Sequence, residues 1–382
     1  MINFKKTIIY GSAVFASSIF YQCKQDTIII DKGDPAPQIE LYLGADLSYV
    51  NEMLDCGGTY QKDGNVVSPY QLFADNGANI IRVRLWHTPD WTQYSNFQDV
   101  KKTITEAKAN NMKVLLDFHY SDTWADPGKQ IIPKAWASIT DLNVLGDSLY
   151  NYTFNTLDQL LSANLLPDFV QVGNEINSEI LSSAPASGSI NWGRNSFLIN
   201  QGLQAVRDIS TKASTPIQSM LHIAQPENAL WWFKEATNNN ITDFDWIGLS
   251  YYPKWSSYGI DKLEIAVNNL KNTYNKRIMI VETGYPHSFN NVDNANIILG
   301  QDTVIPGYPG TPDGQKDFLI KLTNSLIQGG GEGVIYWEPA WISTGCSTLW
   351  GQGSHWENAT FFDELNNNEA LPAFQFFDQT NY

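Results

Sequence analysis

Eight short β-rich runs follow one another along this chain, each separated by a longer segment. They are LYLGADL (41–47), NIIRVRLW (79–86), KVLLDFHY (113–120), DFVQVGNE (168–175), PIQSMLHIA (216–224), FDWIGLSYY (244–252), KRIMIVETG (276–284) and GVIYWEP (333–339). Most are continuous apolar runs rather than clean alternations, as expected of strands covered on both faces of a parallel sheet. The segments between them include stretches such as 97–111 (FQDVKKTITEAKANN), with apolar positions at helical spacing. Eight strand–helix units without a break in composition predict an α/β fold, a closed (β/α)8 barrel forming a single domain over 39–382. A doubly wound open sheet is the competing arrangement. It would usually carry a Gly-rich phosphate loop after an early strand, and the chain has none.

The N-terminus reads differently. Lys5 and Lys6 precede an uncharged, mostly apolar run from Thr7 to Tyr21, and Cys23 follows. That pattern predicts an export signal over 1–23, with 24–38 as a linker. A Cys directly after the run suggests acylation of Cys23 and attachment to the outer membrane of a bacterium, although Phe20-Tyr21-Gln22 departs from the small residue usual there. Free secretion and a cell-surface lipoprotein are both open. The remaining cysteines, Cys56 and Cys346, fit no metal motif. In a closed barrel they follow neighbouring strands, the first and the eighth, and are either joined or free thiols.

Charge and aromatic content narrow the partner. The 40 acidic and 24 basic residues leave a net charge of −16, which repels phosphates and argues against nucleic acid. The chain has 13 tryptophans. Barrel cores prefer Val, Ile and Leu, so surplus Trp suits a cleft, where its flat face stacks on the apolar face of a sugar ring.

Charged residues gather at the C-terminal ends of the runs, where barrel enzymes build their sites: Asp46, Arg84, Asp117, His119, Glu175, Glu282 and Glu338. Glu175 ends the fourth run and Glu282 the seventh, on opposite sides of the mouth. Two such carboxyls, one protonated and one ionised, are what retaining glycoside cleavage requires. Glu338 is read as structural, because the fourth and seventh runs already supply the pair.

Beyond these residues, the stretches GADLSYV (44–50), IIRVRLWHTP (80–89), VLLDFHYSDTWADPGKQ (114–130), VQVGNEIN (170–177), WIGLSYYPKW (246–255), IVETGYP (280–286) and YWEPAW (336–341) resemble the arabinogalactan endo-β-1,4-galactanases of glycoside hydrolase family 53, a family of the large clan of retaining barrel glycosidases. The resemblance spans about residues 39 to 345. It implies Glu175 as acid/base and Glu282 as nucleophile in a double displacement on β-1,4-galactan. It further implies Asn174 on the sugar 2-hydroxyl, Arg84 paired with the nucleophile, and Tyr251 or Tyr252 bonded to it, with Tyr251 favoured. Trp337 is the expected platform under the cleaved sugar, and Trp86, His119, Trp124 and Asp126 are expected sugar contacts. The chemistry needs no metal. Bacterial relatives often hold a structural Ca²⁺ in the loop after strand 7, which points to Asp293 and Asn296 in SFNNVDNANIILGQD (288–302). Two alternatives stand beside this reading: another retaining endo-glycanase of the clan, acting on mannan, xylan or β-glucan, and a surface glycan-binding protein without catalysis.

Overall fold

The computed structural model describes residues 40–186 and 188–382. The expected export signal, linker and Cys23 lie outside the described residues. Eight parallel strands close into a barrel: β1 (Tyr42–Asp46), β2 (Ile80–Leu85), β3 (Lys113–Phe118), β4 (Phe169–Val172), β5 (Gln218–Ala224), β6 (Trp246–Ser250), β7 (Arg277–Glu282) and β8 (Gly333–Tyr336). The ring shuts where β1 pairs with both β2 and β8, Gly44 opposite Ile80 and Ala45 opposite Tyr336. The expected (β/α)8 architecture is therefore the observed one.

Alternation along the strands builds two shells of core. Tyr42, Ile80, Leu115, Phe169, Met220, Trp246, Met279, Val281 and Ile335 pack together as one cluster. They share strand parity, and they fill the barrel interior. Tyr42, Phe169 and Trp246 meet edge to face there, with centroids 5.2–5.8 Å apart. The intervening residues, such as Ile81, Val83, Val114, Leu116, Leu221 and Ile247, belong to the larger core under the helices. Above the apolar plug the same inward parity carries Asp46, Arg82, Asp117, Gln171, His222 and Ser250, all buried. The interior thus changes from apolar to polar on rising toward the C-terminal ends of the strands.

After two short helices, α1 (Val50–Asp55) and α2 (Pro69–Asp75), the longer ones follow from their own patterns. In α3 (Phe97–Ala109), Asn96 caps the amides of Gln98 and Asp99, and Val100, Ile104 and Ala107 form the buried stripe. Longer helices α4 (Leu142–Ser162) and α5 (Trp192–Ala213) cover β3 and β4, followed by α6 (Pro226–Asn238), α7 (Ile260–Tyr274) and α8 (Pro312–Gln328). After β8 the chain makes a small hairpin (Ser347–Thr348 with Gly351–Gln352) and, further on, a 3-10 turn, Pro372–Phe377. Phe374 and Phe377 of that turn pack on Phe73 and Phe361, closing the seam left without a long helix. Cys56 and Cys346 are joined as a disulfide, with Cα atoms 5.8 Å apart. The bond ties the segment after β1 to the loop that carries the small hairpin.

Candidate active site

Strain marks the mouth of the barrel. Tyr120, Glu175, Gln225 and Glu338 all have positive φ (44–64°) just beyond β3, β4, β5 and β8. A non-Gly residue held there costs about 1–3 kcal/mol, and such residues cluster at functional sites. At the end of β4, Gly173 (φ 88°) and Glu175 (φ 44°) turn the chain sharply, which swings Asn174 and Glu175 over the polar layer. The opening above is a cleft of about 690 Å³, lined by Glu175 and Glu282 together with Trp124, Asp126, Asn174 and Trp337. Six of the 13 tryptophans line it: Trp124, Trp255, Trp337, Trp341, Trp350 and Trp356. The aromatic surplus therefore sits where a sugar polymer would stack.

Arg82 organises the floor. Its guanidinium meets Asp46 at 2.8 Å, Asp117 at 2.7 Å and Glu282 at 2.8 Å, and it also donates to the Asn174 side-chain oxygen at 2.7 Å and to Gln171 at 3.3 Å. Glu282 accepts a second bond, on its other oxygen, from the Tyr252 hydroxyl at 3.2 Å. Both contacts favour its ionised form. Burial pushes Glu282 up to about 7; Arg82 and Tyr252 work against that, while Asp117 and Asp46 add to it. Among the described residues, no cation is in hydrogen-bond contact with the Glu175 carboxyl. Its Oε1 accepts from Ser250 Oγ at 2.6 Å. Burial and then the Glu282 carboxylate push it up to about 8, with Ser250 opposing. The first proton to leave the pair leaves Glu282, and the second stays on Glu175.

Two expected contacts are corrected here. Arg84 does not pair with Glu282; it bonds Glu338, and its guanidinium lies between the rings of Tyr49 (4.2 Å) and Trp124 (4.4 Å). Arg82 and Arg84 share inward parity, and Arg82 is the one a pleat deeper, level with the acidic layer. Tyr251 is not the tyrosine on Glu282: its hydroxyl donates to the Tyr258 carbonyl, and Tyr252 takes the place. Trp246, Ser250 and Tyr252 share one parity, which leaves Tyr251 on the outer face. Glu282 itself breaks alternation. The register slips between Leu249 and Ser250, so that Ser250 pairs with Glu282. Val281 faces the interior cluster, and the slip lets the next residue face inward too.

Two further expected sugar contacts do not reach the cleft. Trp86 is buried behind Trp124, ring centroids 5.4 Å apart. His119 is buried between Asp117, 3.0 Å from its Nε2, and the Ala125 amide, which donates to its Nδ1. Both pack against the segment bearing Trp124 and Asp126. Glu338, read as structural, is buried with Arg84 and accepts from the Tyr49 amide. Asn174 lines the cleft and gives an Nδ2 hydrogen to the Ala125 carbonyl. Sequence reasoning named Tyr252 only as its second choice and missed Arg82, Ser250 and His222, which surround the two glutamates. Trp246, the large apolar member of its run, was the signal for the parity of β6.

The loop after β7 carries Asp293 and Asn296, the residues of the calcium expectation. Asp293 accepts from Ala295 N, Ser343 Oγ and Ser354 N. The Asn296 carbonyl lies 2.7 Å from His355 Nδ1. Glu357 is buried, accepts from Val292 N on one oxygen, and leaves Oε2 without a partner. Burial, with Asp293 beside it, pushes Glu357 up to about 8. No group of three His, Cys, Asp or Glu side chains suited to a metal occurs among the described residues. A buried carboxylate oxygen left unpaired among the described residues, with Asp293 close by, fits a hard cation.

A closed parallel barrel whose mouth holds two carboxyls in unlike environments, inside a tryptophan-lined cleft, defines the class of barrel glycosidases. Residues 42–377 match the model of glycosyl hydrolase family 53, and the chain belongs to that family. It is 57% identical over 344 residues to an arabinogalactan endo-β-1,4-galactanase of Cellvibrio japonicus, covering 90% of this chain and 92% of that one. Among solved structures it is similar to the family 53 catalytic domain of Ignisphaera aggregans, with a TM-score of 0.82 and 31% identity over 91% of this chain and 99% of the other. It is also similar to a fungal β-1,4-galactanase, with a TM-score of 0.75 and 30% identity over 88% of this chain and 99% of that one.

Proposed function

We propose that the protein is a retaining endo-hydrolase of β-1,4-galactan, the side chain of pectic type I arabinogalactan. The observation that supports the mechanism is the unlike setting of the two glutamates: Glu282 is bonded by the Arg82 cation and Tyr252, whereas Glu175 is bonded by the neutral hydroxyl of Ser250. Glu282 attacks the anomeric carbon as a carboxylate while Glu175 protonates the departing glycosidic oxygen. A glycosyl ester on Glu282 results. Glu175, now ionised, removes a proton from water, which opens the ester with net retention. Asn174 holds the 2-hydroxyl, and Trp337 and Trp124 give the sugars apolar walls. The galactan preference is supported by the 57% identical galactanase; activity on purified galactan, mannan, xylan and β-glucan tests it.

Replacing Glu175 by Ala tests the acid/base role. Galactan cleavage should fall steeply. A galactoside with a good leaving group should still form the glycosyl-enzyme, and azide should speed its turnover. Wild-type galactan cleavage by that variant, or failure of azide to rescue it, contradicts the assignment. A galactan binder without catalysis predicts no loss at all.

Two accessory readings belong here. A structural calcium ion is proposed at Asp293, with Glu357 in place of Asn296 as the second oxygen donor; it serves the loop and takes no part in the chemistry. Export and acylation at Cys23 are proposed from the N-terminal pattern. Incorporation of labelled palmitate that is lost in Cys23→Ala tests the anchor, and an unlabelled, freely secreted protein refutes it.

A further inference from the structure

His222 is buried within the polar layer, and the proposed mechanism gives it no task. Its Nδ1 lies 3.3 Å from the Glu175 amide, 3.1 Å from Gln171 Nε2 and 3.0 Å from Asn174 Oδ1. Its Nε2 lies 2.8 Å from Ser250 Oγ, and Ser250 Oγ lies 2.6 Å from Glu175 Oε1. The ring is neutral, because burial, and then the charge of Arg82, hold it well below the usual histidine range. A neutral ring carries one proton, so its position sets the direction of every bond in this chain.

The neighbours decide that position. A proton on Nδ1 would face the Glu175 N–H and deprive that amide of a partner, which is costly for a buried backbone donor. Asn174 Oδ1 has no need of it, since Arg82 already donates there at 2.7 Å. The proton therefore sits on Nε2 and is donated to Ser250 Oγ. Ser250, having accepted, turns its own hydrogen to Oε1 of Glu175. Oε2 makes no hydrogen bond to any described residue.

We propose that His222 and Ser250 form a one-way hydrogen-bond relay that keeps a donor on Oε1 of Glu175, so that the acid form carries its proton on Oε2, the oxygen left free for the glycosidic bond. Both are positioning residues, since neither lines the cleft. The relay also favours the ionised form of Glu175, against burial and against the charges of Glu282 from β7 and Asp126 from the loop after β3. Arg82 from β2 acts in the same sense as Ser250 on Glu175. Besides Arg82, the titratable neighbour acting on His222 is His119 from the segment after β3. The inference rests on Glu175 being the acid/base.

The test is the pH dependence of kcat/KM on galactan, read beside the histidine tautomer. In Ser250→Ala the basic limb should move up by about one pH unit, the effect of losing one bond to a charged group. The acid limb, governed by Glu282, should stay in place, and Ser250→Thr should restore the basic limb. Long-range ¹H–¹⁵N correlation on the ¹⁵N-histidine-labelled wild-type protein should show His222 protonated on Nε2. A wild-type basic limb in folded Ser250→Ala, or a proton on Nδ1 of His222, overturns the relay. The spectrum decides even if the variant does not fold. An active Glu175→Ala would instead remove the acid/base reading itself, whereas an inactive Glu175→Ala with an unmoved Ser250→Ala limb removes only the relay.

Discussion

Single hydroxyls give adjacent residues of one type different roles. Tyr252 donates to the Glu282 carboxylate and Tyr251 to a backbone carbonyl of its own loop. Tyr252→Phe should lower kcat/KM on galactan by about tenfold to a hundredfold, the value of one bond to a charged group. Tyr251→Phe should leave kcat/KM near wild type. Equal losses in the two variants would contradict the assignment. The glutamates were legible in the sequence because each ends a strand-like run, and a barrel puts strand ends at its mouth. The residues that tune them were not. Arg82 and Arg84 have the same parity, and depth along a barrel axis is absent from a one-dimensional pattern. Glu282 faces inward only through a slip of register that no spacing announces. Trp86 and His119 stand at strand ends as a sugar contact would, yet the segment that carries Trp124 and Asp126 folds over them.

Elements were easier to foresee than contacts, because eight apolar runs separated by helical segments leave few topologies open. Their limits shifted at the functional ends. The fourth run extends to residue 175, but the strand stops at Val172, since Gly173 and Glu175 take left-handed backbone. The disulfide between Cys56 and Cys346 needed coordinates: neighbouring strands make it feasible, and only the paths of the two loops bring the sulfurs together. The loop after β7 carries its own prediction. If Asp293 and Glu357 hold calcium, millimolar Ca²⁺ should raise Tm relative to EGTA, through binding to the folded state alone. Glu357→Gln should erase most of that rise. Identical melting in Ca²⁺ and EGTA would dismiss the ion.

Across the whole molecule, several buried carboxyls set the response to pH. Burial pushes Glu52 and Glu282 up to about 7 and Glu175 and Glu357 up to about 8, and it holds Glu338 well above the usual range. Each folded value lies above the unfolded one, near 4.3 for Glu. Between the two, the folded chain binds more protons than the unfolded chain, so stability falls as pH rises. Self-repulsion of a chain with net charge −16 acts in the same direction. Asp245 and Glu40, held below their ordinary values, contribute the opposite dependence, but at lower pH. Calorimetry without calcium should therefore find a higher Tm near about pH 5.5 than near about pH 8.5. A Tm that climbs over this range would mean that these carboxyls are not protonated in the folded state.

Activity follows the same groups in a different sense. kcat/KM should rise as Glu282 loses its proton and fall as Glu175 loses its own, so that cleavage peaks close to neutrality. The proposed mechanism has Glu282 form a covalent ester with the sugar, an ester that can be trapped. A 2-deoxy-2-fluoro galactobioside with an activated leaving group slows both steps, the second more, so the intermediate accumulates. Mass spectrometry of the digested protein should find one glycosyl group on the peptide around Ile280–Tyr285, attached to Glu282. A label on another residue, or an enzyme that turns over without any covalent adduct and releases inverted product, would contradict the account.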